Sequence, residues 1–231
     1  MHWDVVWNNM SYFLIGAYPN GPIGGLALSI LLALAGVFGA FWLGLLIGLF
    51  RMSRNKLLKY TALVYIEIIR GTPILMMIFW FYFLAPILLG QTLPETQSAL
   101  IALIIFTSAY IAEIVRAGVE ALPKGQNEAA RGTGLSHYQT MRYVILPQAL
   151  FNMIPSFVNQ FVSLTKDTSL AFIIGVNELT KVATQVNNRT MNAPFEIFIT
   201  IAVLYFIVCY VLTELSRQLE KKINRYQARN R

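Results

Sequence analysis

The residues of this chain that could do chemistry fall into two clusters. In "NEAARGTGLSHYQTMR", Glu128, Arg131, His137 and Arg142 share a polar stretch with Gly132 and Gly134. In "TKDTS", Lys166 and Asp167 stand beside Thr165, Thr168 and Ser169 inside an otherwise apolar run. Neither cluster is a catalytic set. A lone cysteine, Cys209, and two histidines, His2 and His137, offer no metal-ligand spacing. No G-x-S-x-G elbow or pair of intramembrane aspartates occurs, which argues against a membrane hydrolase. The G-x-x-x-x-G-K-[ST] phosphate loop is missing too, so no catalytic residue, metal or directly bound cofactor is expected, and any ATP must be used by another protein. Charges that dock a partner or line a path are the chemistry left.

The elements that position these clusters follow from composition. The 231 residues are 56% hydrophobic and only 13% charged, whereas soluble domains are about a quarter charged. A membrane-spanning helix needs about 20 mostly apolar residues to cross a roughly 30 Å core. Segments 26–50, 71–90, 96–115, 148–176 and 197–213 qualify, which gives an all-α integral membrane protein with five transmembrane helices in a single domain over residues 1–231. Ahead of them, "YPNGP" breaks the run, and the preceding piece, with Trp3, Trp7 and Tyr12 beside Asn8 and Asn9, is too short to cross and is expected on the membrane surface. Residues 57–70 form a helical lead-in. At "RGTP", Gly71 ends one segment, Thr72 caps the next and Pro73 takes its first position, while Arg70 sits at the boundary and reaches water. The phrases "EIIRG" and "EIVRA" look alike but fall on helices of opposite direction, so each Glu and Arg is read as a local pair rather than as a repeat.

Basic residues near the ends of spans mark the cytoplasmic side. Fourteen of the eighteen lie on one side: Arg51, Arg54, Lys56, Lys59, Arg116, Lys124, Arg131, Arg142, Arg217, Lys221, Lys222, Arg225, Arg229 and Arg231. The other side receives only Lys181 and Arg189. The C-terminus and the polar loop 117–147 are therefore expected in the cytoplasm and the N-terminus outside it. Topology accounts for the net charge of +7, and no nucleic-acid partner is required.

Within the loop, Asn127 is a suitable N-cap for a helix over 128–131, which would place Glu128 at the positive end of the helix dipole. Gly132 and Gly134 stop that helix. A second begins at Ser136, where Gln139 completes a capping box, and Pro147 marks the next element. Tyr138, Met141 and Ile145 form one apolar face expected to rest on the membrane side. A plain connector is usually a handful of residues, shorter than this. A DNA-reading helix pair would need a soluble core that about thirty residues cannot supply. What remains is a rigid projection that docks into a cytoplasmic partner.

The loop resembles the "EAA" signature of the membrane subunits of bacterial ATP-binding-cassette importers: E-A-A, three residues, G, nine residues, I, one residue, L-P. Glu128, Ala129, Ala130, Gly134, Leu146 and Pro147 match, and Val144 stands in place of Ile. "RGTPILMMIFWFYF", "EIVRAGVEALPKGQNEAA" and "KDTSLAFIIGVNEL" are similar to the polar amino acid branch, and "MMIFWFYFLAP" to its glutamate and aspartate permeases. The resemblance implies the type I importer fold, a bacterial inner-membrane location, and a loop that couples ATP hydrolysis to transport. It also implies ATP-binding cassette ATPase subunits, a second permease that is identical or homologous, and a periplasmic amino-acid-binding protein as partners. On this reading Lys166, Asp167, Thr168, Ser169, Arg70 and Thr72 are the candidates for the translocation path. Lys166 would attract an acidic substrate; alternatively it lies at the outer boundary and reaches water. A transporter of another polar or basic amino acid is the alternative. An ion-driven carrier would require paired repeats that are not evident.

Overall fold

A computed structural model describes residues 1–229, except the side chains of residues 89, 219, 220 and 222–229. Of the basic residues counted above, Arg231 therefore lies outside the described residues, as do the side chains of Lys222, Arg225 and Arg229. The chain runs through α1 (Trp3–Asn8), α2 (Met10–Ile15), α3 (Gly25–Arg51), α4 (Lys56–Arg70) and α5 (Ile74–Phe79), then a π-helical turn over Trp80–Leu84. It continues with α6 (Ala85–Leu89), α7 (Glu95–Glu120), α8 (Lys124–Gly132), α9 (His137–Thr140) and a second π-helical turn over Met141–Ile145. After α10 (Leu146–Asp167) come a 3-10 run over Thr168–Ile174, α11 (Leu179–Thr190) and α12 (Pro194–Arg229).

Among the described residues, three helices are long and apolar enough to cross a membrane: α3, α7, and α12 as far as Gln218. A fourth arises if α4 and the segment Ile74–Leu88, bent by 103°, count as one broken span. The break falls at 71–73, where the sequence ends one segment and starts the next. The role expected of Thr72 is corrected. Its hydroxyl donates to the Ile68 carbonyl at 2.8 Å, closing α4 from behind, and Pro73 takes the N-cap of α5. The cause is local: the residue before a proline is pushed out of helical backbone angles, so no helix can start before Pro73.

Both π-helical turns have a common origin. Pro86 and Pro147 have no N–H, and their rings crowd the carbonyl four residues back. A wide turn just ahead of each relieves this: the Ala85 N–H bonds to the Trp80 carbonyl and the Leu146 N–H to the Met141 carbonyl, each five residues back. Helix therefore continues through both prolines.

Helices α3 and α7 form the spine. Ala40, Gly44 and Gly48 recur every fourth residue on α3, and a Cβ added at Gly44 would lie 2.6 Å from Ile111 Cβ and 2.7 Å from the Ser108 carbonyl oxygen. At Gly48 the nearest atom would be Val115 Cβ at 2.8 Å. Small residues at this spacing let two backbones approach where lipid gives no hydrophobic drive for association. Ala40, Ile111, Val115, Ala149, Met153 and Phe157 form one buried cluster that joins α10 to this pair.

The end of the bundle at α1, α2 and α11 is held differently. Helices α1 and α2 do not cross, but they do more than lie on the surface: Val5, Val6 and Phe13 are buried against Leu179, Val182, Val186, Ile197 and Ile201 of α11 and α12. Glu178, fully buried, caps α11 by accepting from the Thr180 and Lys181 N–H groups at 3.0 and 2.8 Å, and accepts from Tyr205 Oη at 2.7 Å. Ser29 of α3 accepts from the Leu179 N–H at 3.1 Å, so one polar knot ties α3, α11 and α12. A buried carboxylate is tolerable only with such partners.

Replacing Gly44 by Val should force α3 and α7 apart and destabilise the chain by about 1–3 kcal/mol, the usual cost of overpacking. Thermal unfolding of the detergent-solubilised protein measures this. An unchanged midpoint would contradict the close approach.

Candidate functional site

The polar loop starts later than expected, because α7 extends through Glu120. Arg116 on its last turns pairs with both Glu113 and Glu120. Helix α8 in turn starts early. Pro123 is its N-cap and Asn127 lies inside it, so Asn127 caps nothing and Glu128 sits in the middle of the helix rather than in its first turn. Pro123, with φ near −55°, already has the extended backbone a cap requires, and the helix begins there. The stop is where the glycines put it: the Gly134 N–H bonds to the Arg131 carbonyl at 3.0 Å with Gly134 at φ +90°. Ser136 then forms the full capping box, its Oγ accepting from the Gln139 N–H at 3.2 Å and its N–H donating to Gln139 Oε1 at 2.8 Å.

This geometry splits the signature residues into two groups. Glu128 and Ala129 are exposed on the outward face of α8, while Ala130 is buried beneath it. Leu146 and Pro147 open α10, and Gln148 of α10 bonds to Gln126 of α8 at 3.4 Å. Behind the loop lies a cavity of about 230 Å3, bordered by Glu120, Lys124, Asn127 and His137. Of the expected apolar face, Ile145 is buried but Tyr138 is 68% exposed, so the face is only half covered.

The path candidates do not converge on one place. Arg70 borders a cavity of about 410 Å3 with Tyr110, Glu113, Asn152, Ser156 and Gln160, and its guanidinium carbon stands 5.4 Å from the centre of the Tyr110 ring. Lys166 and Ser169 border a separate open cavity of about 320 Å3 with Thr180 and Tyr205. Thr168 is buried and bonds to the Thr165 carbonyl, Asp167 is half-buried, and Thr72 is turned back on α4. Of the two local pairs expected, Glu113 and Arg116 form one; Arg70 meets Tyr110, forty residues away, instead of Glu67.

Sequence reading missed Asn152, Ser156 and Gln160. Their signal is present, since three polar residues at i, i+4 and i+8 of an apolar helix share one face. The more conspicuous charges at Lys166 and Asp167 drew attention from it.

Residues 40–225 match the family described as binding-protein-dependent transport system inner membrane component. Among curated proteins, the probable glutamine ABC transporter permease protein GlnP of Bacillus subtilis is 39% identical over 212 residues, which is 89% of this chain and 97% of that protein. The L-cystine transport system permease protein TcyB of Bacillus subtilis is 38% identical, over 89% of this chain and 88% of its own length. The glutamine transport system permease protein GlnP of Escherichia coli is 35% identical over 96% and 97% of the two chains. A solved amino acid ABC transporter with histidines superposes with a TM-score of 0.80 at 37% identity, covering 86% of this chain and 92% of that one.

His137 carries a testable charge effect. Burial first, then the positive charges of Arg54 and Arg131, hold its imidazole below the ordinary histidine value. An opened loop therefore binds more protons than the folded one, so the stability contributed by neutral His137 is present above the ordinary histidine value and lost as pH falls through the depressed one. Intrinsic-rate-corrected amide exchange over residues 131–141 should be faster at about pH 5.5 than at about pH 7.5, and His137→Gln should remove the difference. Equal protection at both values would refute this.

Proposed function

The chain belongs to the binding-protein-dependent transport system inner membrane components and is a permease subunit of an amino acid ABC importer, and from that premise we propose how its parts act. It crosses the bacterial inner membrane five times, α10 with its 3-10 extension being the additional span, with the N-terminus periplasmic and the C-terminus cytoplasmic. Within residues 121–145, the exposed face of α8 around Glu128 and Ala129 docks on an ATP-binding cassette subunit that uses ATP. A second permease, identical or homologous, completes the path, and a periplasmic binding protein delivers the amino acid.

One observation carries this reading. The capped loop helix passes through the π-helical turn into α10 without a break, and α10 is the helix whose Asn152, Ser156 and Gln160 border the Arg70 cavity. A displacement of the loop therefore reaches the cavity wall through hydrogen-bonded helix rather than through a flexible linker. Alternating access follows from two such subunits moving together.

The Arg70 cavity suits a polar α-amino acid. Arg70 offers a guanidinium to the α-carboxylate, and Glu113, although paired with Arg116, keeps acceptor sites for the ammonium. The amides and hydroxyl of α10 fit an uncharged polar side chain, in keeping with relatives named for glutamine and cystine. A second reading, an acidic substrate, is favoured by Lys166 on the edge of its own open cavity. The stretch Met76 to Pro86 lends it little, because Met76, Phe83 and Leu84 face outward while Met77 and Ile78 pack in the core.

Two experiments on the complete importer in proteoliposomes test these statements. Gly134→Val places a β-branched residue at positive φ, a strain of about 1–2 kcal/mol; uptake should fall roughly tenfold while ATP hydrolysis continues and the chain stays in the membrane. Unchanged uptake would count against the docking role. Arg70→Gln should lower uptake of every amino acid carried, whereas Lys166→Met should lower only that of glutamate and aspartate. Loss of glutamine uptake in Lys166→Met would remove the acidic reading.

A further inference from the structure

The apolar groove on the outside of the bundle, between α3 and the start of α10, has no role in the mechanism above. It is an open cleft of about 650 Å3, walled by Phe41, Leu150, Phe151, Ile154 and Phe157, with Arg142 at one end. Arg142 and Leu146 also border a second cleft of about 410 Å3 that continues around the end of α3 past Phe50, Leu58 and Arg54. The two clefts thus form one channel with an aromatic and aliphatic bed at one end and two guanidinium groups at the other.

Charge and length identify the occupant. Among the described residues, neither Arg54 nor Arg142 pairs with a carboxylate; the guanidinium of Arg142 lies over the Tyr143 ring at 5.9 Å. From Leu146 to Phe157 the bed spans eleven helical steps, about 16 Å at helical rise, which matches one leaflet of a roughly 30 Å hydrocarbon core. Guanidinium groups hold phosphate through paired charge-assisted hydrogen bonds, and basic pockets between helices on the cytoplasmic side suit anionic headgroups.

We propose that this groove holds one anionic phospholipid of the cytoplasmic leaflet, its phosphate between Arg54 and Arg142 and an acyl chain along Phe41, Phe151 and Phe157. The leaflet assignment rests on the orientation proposed above; the binding itself does not. Since Arg142 belongs to the π-helical turn between the loop and α10, a lipid seated there props the element that carries motion inward.

The test is native mass spectrometry of the complete importer, released from nanodiscs of phosphatidylglycerol or of phosphatidylcholine. The parent should retain phosphatidylglycerol and not phosphatidylcholine, and Arg54→Gln with Arg142→Gln should reduce retention about tenfold. Ile154→Trp, which fills the bed and leaves both charges, should reduce it as well. Equal retention by parent and variants, no selectivity between the two lipids, or a helix of a partner subunit seated in the groove of the assembled importer would overturn the proposal. Because binding is read without transport or ATP, failure of the coupling reading would leave this result intact, and the reverse holds.

Discussion

Backbone hydrogen bonds in a bilayer must be satisfied within the helix that makes them, and this constraint governs how force can travel through the molecule. From the capping box at Ser136 the chain runs through α9, a π-helical turn, α10 and a 3-10 run to Ile174 with no connecting loop. Two prolines lie in that path, Pro147 and Pro155, and neither ends it. The wide turn ahead of Pro147 keeps the ladder closed where a regular helix would lose a bond. A loop outside the membrane and a polar stripe inside it are therefore parts of one rod.

A rod moves usefully only against something fixed. The spine of α3 and α7, drawn together at Ala40, Gly44 and Gly48, supplies that reference, and the polar knot of Ser29, Glu178 and Tyr205 fastens it to α11 and α12 at the end away from the loop. Large apolar side chains of α12, among them Val203, Phe206 and Tyr210, are left exposed, as lipid requires. The structure thus separates an end braced by buried polar contacts from a loop end held by the Gly134 turn, the capping box, the buried Ala130 and Ile145 and the Gln148–Gln126 bond.

How much of this was legible in the sequence depends on the range of the interactions. The Gly134 turn and the Ser136–Gln139 box were legible because they involve residues three or four apart and particular side chains. Asn127 misled because a stronger signal, Pro123, stands four residues earlier, and Thr72 misled because its hydroxyl can turn back on its own helix as easily as it caps the next. Apolar length marked where α3, α7 and α12 lie, and the phrase from Arg70 to Pro73 marked the break between α4 and α5, but neither carries the 103° angle at which the two segments meet. The cavity was the least legible part: Arg70 meets Tyr110 across the bundle, and no local pattern encodes that. The packing of α1 and α2 onto α11 was hidden for the same reason.

Pulsed spin-label distances in the reconstituted importer, with and without ATP, bear most directly on the rod. In a Cys209→Ser background, labels at Gly125 in α8, Asn159 in α10 and Tyr210 in α12 report the loop, the cavity helix and the braced end. The account predicts that the distance from 125 to 159 stays constant while the distance from 125 to 210 changes on ATP binding. Displacement of the loop relative to Asn159, with α10 stationary against α12, would contradict it.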